Sequence, residues 1–160
     1  MNLELINHAQ RLFDLSLKAN IKIVTAESCT GGLISSLITE IAGSSQVFDR
    51  GFVAYSNLSK EQNLGVSAKT INDFGAVSEE VAVQMAIGAI KNSNANLSIA
   101  TTGIAGPDGG GDKPVGLVYI ASFNAVSKHL LVKKFNFSGN RNEIRILTVK
   151  NAVEILISNF

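Results

Sequence analysis

At 160 residues, with 46% hydrophobic and 17% charged residues, the chain is long enough for a full core and too apolar for a disordered segment. No apolar run approaches the ~18 residues of a membrane span, and a formal net charge of +1 argues against a general nucleic-acid binder. A single cysteine excludes a disulfide framework or a multi-cysteine metal site and suits a reducing cytosol, so cytoplasmic location is expected, with no membrane or nucleic-acid partner. The start, MNLELINHAQ, lacks the basic and apolar regions of a secretory signal. From Lys113 onward seven Lys/Arg face two acids, Glu143 and Glu154. Such a basic C-terminal third could hold an anionic small ligand or simply be a solvated face.

Leu5, Ala9, Leu12, Phe13 and Leu17 recur at helical spacing, and Asn20 is a plausible left-handed stop. The β-branched run Ile21–Thr25 reads as a strand. It leads through Ala26-Glu-Ser-Cys-Thr-Gly-Gly32 into an apolar helix, Leu33 to Ile41, closed by Gly43. A second strand, Gly51 to Tyr55, precedes a short helix ending near Gly65. Ser78, followed by Glu79 and Glu80, caps a helix to about Lys91. A third strand, Leu97–Thr101, enters a loop, 102–114, that holds both prolines and much of the glycine. Two strands follow, about 115–123 and 130–137, and Asn140 with Glu143 opens a last helix to about Ile157 as a capping box. This order predicts one domain, 1–160, with a three-layer α/β/α sandwich and a mixed sheet of about five strands. A small apolar-rich domain of this kind is expected to form a homodimer.

The chemistry is narrowed by what is missing. His8 lies on the first amphipathic helix and His129 at the start of a late strand, so a Ser-His or Cys-His arrangement has no evident base. HExxH, GxxxxGK[ST] and GxGxxG spacings are absent, which argues against a zinc site, a P-loop and a standard dinucleotide fold. Ser28 stands where a strand turns into a helix, near unpaired N–H groups that could take a phosphate, a carboxylate or an oxyanion. It could also be a plain capping serine. Cys29 is a rival nucleophile or a small buried residue.

Lysine is the base left by elimination. Lys60 follows the second strand, which Tyr55 closes, and loops after neighbouring strands meet at one sheet edge, where Ser28, Tyr55 and Lys60 could converge. Lowering a lysine from ~10.4 to ~7–8 takes roughly 4 kcal/mol from desolvation or a nearby cation. Arg50, Arg141 or Arg145 are the candidate cations, and on spacing alone the default reading of Lys60 is a surface lysine.

Taken together the blocks say more. Thr25-Ala-Glu-Ser-Cys-Thr-Gly-Gly32 resembles the signature of the CinA family's C-terminal domain, the nicotinamide-nucleotide amidases. The similarity continues through Ala42–Ser45, Tyr55-Ser-Asn57, Lys60, Leu64–Val66, Gly75–Glu79, Thr102–Pro107, Lys113–Gly116 and Phe137–Arg141, in order along almost the whole chain. The resemblance implies hydrolysis of nicotinamide mononucleotide to nicotinic acid mononucleotide and ammonia, without a metal or other cofactor. It implies Ser28 as nucleophile, Lys60 as base and Tyr55 as a proton relay. Thr30, Gly31, Gly32, Ser45, Thr102, Gly103, Arg141 and Arg145 would serve the substrate, with N–H groups around Gly31 and Gly32 holding the oxyanion.

Longer family proteins carry a further N-terminal domain, so the stand-alone form is expected here. Asn140 stands where the family pattern suggests aspartate, which removes a charge beside Arg141 and leaves that arginine freer for phosphate. The loop between Gly110 and Lys113 is slightly short. Two other readings compete: a catalytically silent nucleotide-binding or regulatory module, and a metal-dependent hydrolase or phosphotransferase. The second would need acidic ligands, for which Asp108 and Asp112 are the nearest candidates, although both fit as turn residues.

Overall fold

The computed structural model describes residues 2–160. The elements run α1 (Leu3–Ala19), β1 (Ile23–Glu27), α2 (Leu33–Thr39), β2 (Phe48–Val53), α3 (Asn57–Leu64), α4 (Ala68–Phe74), α5 (Glu79–Lys91), β3 (Leu97–Gly103), β4 (Leu117–Asn124), β5 (His129–Asn136) and α6 (Arg141–Ile157). A short 3-10 turn, Ser44–Gln46, leads into β2. The strands form one open mixed sheet, ordered β2-β1-β3-β4-β5. β1 pairs parallel with both β2 and β3, while β4 and β5 are antiparallel.

Strand alternation sorts the core into two layers. Ile23, Leu97, Ile99, Val118 and Ile120 point toward α1, α2 and α6, where they join Leu5, Leu12, Leu37 and Leu156. Val24, Ala26, Ala100 and Ala121 point to the other face and join Leu64, Ile71, Val81 and Met85 of α3, α4 and α5. The expected α/β/α sandwich is therefore the observed one. β1, with a parallel partner on each side, is buried over all five residues, as a parallel strand covered on both faces must be.

Several boundaries differ from expectation. β1 runs 23–27 rather than 21–25, because Ile21 is still tied to α1 through Ser16 and Glu27 pairs with Thr101 and Val53. β2 begins at Phe48, not Gly51, and ends at Val53, so Tyr55 lies beyond the strand instead of closing it. Gly51 sits mid-strand because a Cβ there would fall 2.3 Å from Ser35 Oγ. Helix α4, seven residues long, was not expected from the sequence. Asn20 ends α1 with φ 52°, and the Asn140–Glu143 capping box opens α6. Among the described residues no helix is long and apolar enough to cross a membrane.

β1 leads to β2 on one side and has β3 on the other, so the carboxyl ends of three parallel strands frame one crevice. Open α/β sheets bind ligands at such a point.

Candidate active site

Ser28 follows the last residue of β1, and its N–H donates to the Thr101 carbonyl at 3.0 Å, which keeps it on the sheet edge. α3 starts after Ser56, whose hydroxyl accepts the Ser59 N–H. One turn later Lys60 points inward with Leu64 and is only 2% exposed. Its Nζ donates to Ser28 Oγ at 3.1 Å, to the Ala54 carbonyl at 3.0 Å and to the Tyr55 carbonyl at 3.3 Å. Those three acceptors saturate an ammonium. A neutral amine keeps two N–H bonds to the carbonyls and turns its lone pair to the serine hydroxyl, which is the arrangement a general base requires.

Burial lowers the Lys60 pKa from lysine's ordinary value, since desolvation disfavours the charged form. The expected arginine cations do not contribute. Arg50 pairs with Asp49 on the surface, and neither Arg141 nor Arg145 perturbs Lys60. Burial acts on the adjacent thiol in the opposite sense and pushes Cys29 up to about 11. At pH 7 only about one Cys29 in ten thousand is then thiolate, which disfavours it as a nucleophile.

The turn from Ser28 to Gly32 is held from several directions. Gly31 and Gly32 take φ values of 60° and 94°, a region that favours glycine. Thr30 is buried, its hydroxyl hydrogen-bonded to Thr101 Oγ1 at 2.9 Å, and its carbonyl accepts from Arg145 Nη2 at 2.7 Å. Arg145 thus braces the turn from behind and is absent from the pocket lining. The oxyanion donors expected at Gly31 and Gly32 are already engaged. Gly31 N–H donates to the Ser28 carbonyl, and Gly32 N–H donates to Glu27 Oε2. Among the described residues neither the Cys29 nor the Thr30 N–H donates to a backbone carbonyl, although the Cys29 N–H lies against its own thiol, so the donors not spent within the turn's backbone lie directly after Ser28.

A pocket of about 190 Å³ opens on Ser28, Cys29 and Lys60 and is walled by Tyr55, Asn57, Ala76, Val77, Thr102, Gly103, Ala105 and Arg141. Thr102 Oγ1 donates to the Ala76 carbonyl at 2.7 Å, fastening β3 to the segment before α5. Arg141 donates to the Gly106 carbonyl at 2.6 Å and to the Tyr55 hydroxyl at 3.2 Å. Tyr55 is 61% exposed; it is its backbone carbonyl, not its hydroxyl, that meets Lys60. No carboxylate pairs with Arg141 among the described residues, in keeping with Asn140 beside it.

Ser45 is not at the site. It is exposed in the turn before β2, at the amino end of that strand, whereas the pocket lies beyond the carboxyl ends. Of the seven basic residues after position 112, only Arg141 lines the pocket; Lys128, Lys133 and Lys134 are exposed. No group of three or more His, Cys, Asp or Glu side chains is placed to hold a metal among the described residues, so Asp108 and Asp112 form no such cluster. Asn57, Ala76, Val77 and Ala105 were not foreseen from the sequence. Each nonetheless stands in a block that carries the resemblance: Asn57 in 55–57, Ala76 and Val77 in 75–79, and Ala105 in 102–107.

Residues 6–160 match the model of the CinA C-terminal domain. A protein of Acetivibrio thermocellus named for competence-damage induction is 51% identical over 138 residues, covering 86% of this chain and 33% of its own length. The chain therefore spans about a third of that curated relative. The crystal structure of the competence/damage inducible protein CihA from Agrobacterium tumefaciens is 45% identical, with a TM-score of 0.94 over 99% of this chain and 98% of that one. The competence damage-inducible protein A from Klebsiella pneumoniae is 28% identical, with a TM-score of 0.93 over 96% and 95%. With the sheet order, the pocket and these similarities in agreement, the chain belongs to the CinA C-terminal domain family.

Proposed function

We propose that the chain is an amidohydrolase that converts nicotinamide mononucleotide to nicotinic acid mononucleotide and ammonia through a Ser28–Lys60 pair. The observation that carries the reading is the 3.1 Å contact between a buried lysine amine and a serine hydroxyl at the floor of a pocket. Neutral Lys60 takes the Ser28 proton as Oγ attacks the carboxamide carbon, and the oxyanion is received by the Cys29 and Thr30 N–H groups. The lysine then gives that proton to the departing nitrogen, and ammonia leaves. Water attacks the resulting ester, Lys60 accepts its proton, and the proton returns to Ser28 as the acid departs.

The pocket supports the substrate class as well. About 190 Å³ is smaller than the ~300–1,000 Å³ of a typical ligand site, so it suits a planar aromatic amide with the rest of the ligand at the mouth. None of the lining residues is acidic, and Arg141 at the rim offers a guanidinium for a phosphate. Ammonia release from nicotinamide mononucleotide in the presence of EDTA tests this. Release by the wild type that disappears in Ser28→Ala supports a metal-free serine amidase. Release that survives in Ser28→Ala assigns the attack to another group and overturns the Ser-Lys reading.

A further inference from the structure

Glu27 is the most deeply buried acid of the chain's catalytic end and has no part in the chemistry above. It is fully buried, and no cation pairs with it among the described residues. Its carboxylate accepts four hydrogen bonds instead. Oε2 takes Gly32 N–H and Ile34 N–H at 3.0 Å each; Oε1 takes Ser35 N–H at 2.8 Å and Ser35 Oγ at 2.7 Å. Ser35 Oγ also meets Thr25 Oγ1 at 2.7 Å. A buried charge is tolerable when its lone pairs are satisfied in this way, and the first turn of a helix favours a negative group.

The geometry of this clamp is specific to Ser28. Glu27 is the last residue of β1, and the groups it holds begin α2, so the carboxylate ties together the two ends of the turn that presents the nucleophile. The Cys29 and Thr30 N–H groups beside Ser28 are not among those the carboxylate holds, and neither donates to a backbone carbonyl. We propose that Glu27 is a positioning residue for the reaction: its carboxylate fixes the Ser28 turn against Lys60. The inference rests on Ser28 being the nucleophile but not on the identity of the amide.

The test is Glu27→Gln, which keeps the shape but has one accepting oxygen, so its amide group must face either Gly32 and Ile34 N–H or the Ser35 donors. Three readouts are taken together: ammonia release from nicotinamide mononucleotide, the rate at which phenylmethanesulfonyl fluoride modifies Ser28, and amide hydrogen exchange. In the sulfonylation the Ser28 oxygen bonds to sulfur, fluoride leaves, and the hydroxyl proton passes to Lys60. The expected result is a folded protein with kcat and sulfonylation rate both reduced about tenfold or more, as small misplacements of reacting groups produce. KM and the midpoint of the pH profile stay put, and exchange at Gly32, Ile34 and Ser35 quickens. Unchanged kcat and sulfonylation alongside quickened exchange would overturn the proposal and leave Glu27 a merely structural residue.

Should Glu27→Gln fail to fold, Ser35→Ala decides, since it removes one of the four bonds. A severalfold loss of sulfonylation rate supports the proposal, and no loss overturns it. Wild type that is sulfonylated at Ser28 but releases no ammonia, with Glu27→Gln slowing the labelling, retains the positioning role and discards the substrate. Wild type that is never labelled at Ser28 and releases no ammonia discards both.

Discussion

Lys60 Nζ and Ser28 Oγ lie 3.1 Å apart although 32 residues separate them in sequence, and two backbone carbonyls fix the direction from which the amine approaches. The lysine is paid for in stability and returns it in reactivity. Replacing Lys60 with methionine removes the base and is expected to lower kcat/KM by at least about 10³-fold. The same change relieves a buried charge and is expected to stabilise the fold by roughly 1 kcal/mol, about 2–4 °C in Tm. Thermal melts and ammonia release on one preparation check both halves.

The pH dependence has a defined sign. Burial lowers the folded-state pKa of Lys60, so activity rises with pH as the amine loses its proton, at a pH below that of an ordinary lysine. For stability, the unfolded chain still holds the proton between the depressed folded pKa and the ordinary value. Unfolding there takes up a proton, and stability rises with pH across that window. The stability advantage of Lys60→Met should therefore shrink as pH climbs through it and remain constant below it. Melts of the two proteins across pH measure the difference.

The two arginines separate by role. Arg145 holds the Thr30 carbonyl and stays out of the pocket, whereas Arg141 lines it. Arg145→Ala is expected to lower kcat about tenfold with little change in KM, because the Ser28 turn loosens. Arg141→Ala is expected to raise KM about tenfold or more, the size of one lost charge-assisted contact. Steady-state kinetics with the mononucleotide distinguishes them.

Gly88 reaches the site through packing. A Cβ on this residue of α5 would lie 1.8 Å from the Leu64 carbonyl oxygen at the end of α3, so α3 and the Lys60 it carries must move. Gly88→Ala is expected to cost about 1–3 kcal/mol and to reduce kcat per folded molecule, measured by denaturant melts alongside activity.

Much of this was legible in the chain. The helix-period run Leu5 to Leu17, the left-handed Asn20 and the Asn140–Glu143 box each carried a local signal that the fold kept. Ser28 and Lys60 could be paired because loops after neighbouring parallel strands share an edge. The turn's internal wiring could not be read. Gly31 and Gly32 look like open donors until Glu27 is seen to be inside the strand rather than beyond it, a shift set by pairing with β2 and β3. Arg145 and Thr30 are 115 residues apart, and no local pattern shows which arginine braces the turn and which faces the ligand. Ser45 sits in a family-like block, but that block feeds the wrong end of β2.

The proposed reaction turns on covalent attack by Ser28 with Lys60 as its base. Rapid acid quench of wild type with nicotinamide mononucleotide, followed by peptide mass spectrometry, tests it most directly. A nicotinate mononucleotide ester on the peptide carrying Ser28 is expected in wild type and is lost in Lys60→Met. An adduct on Cys29, or ammonia release with no adduct at any quench time, would contradict it.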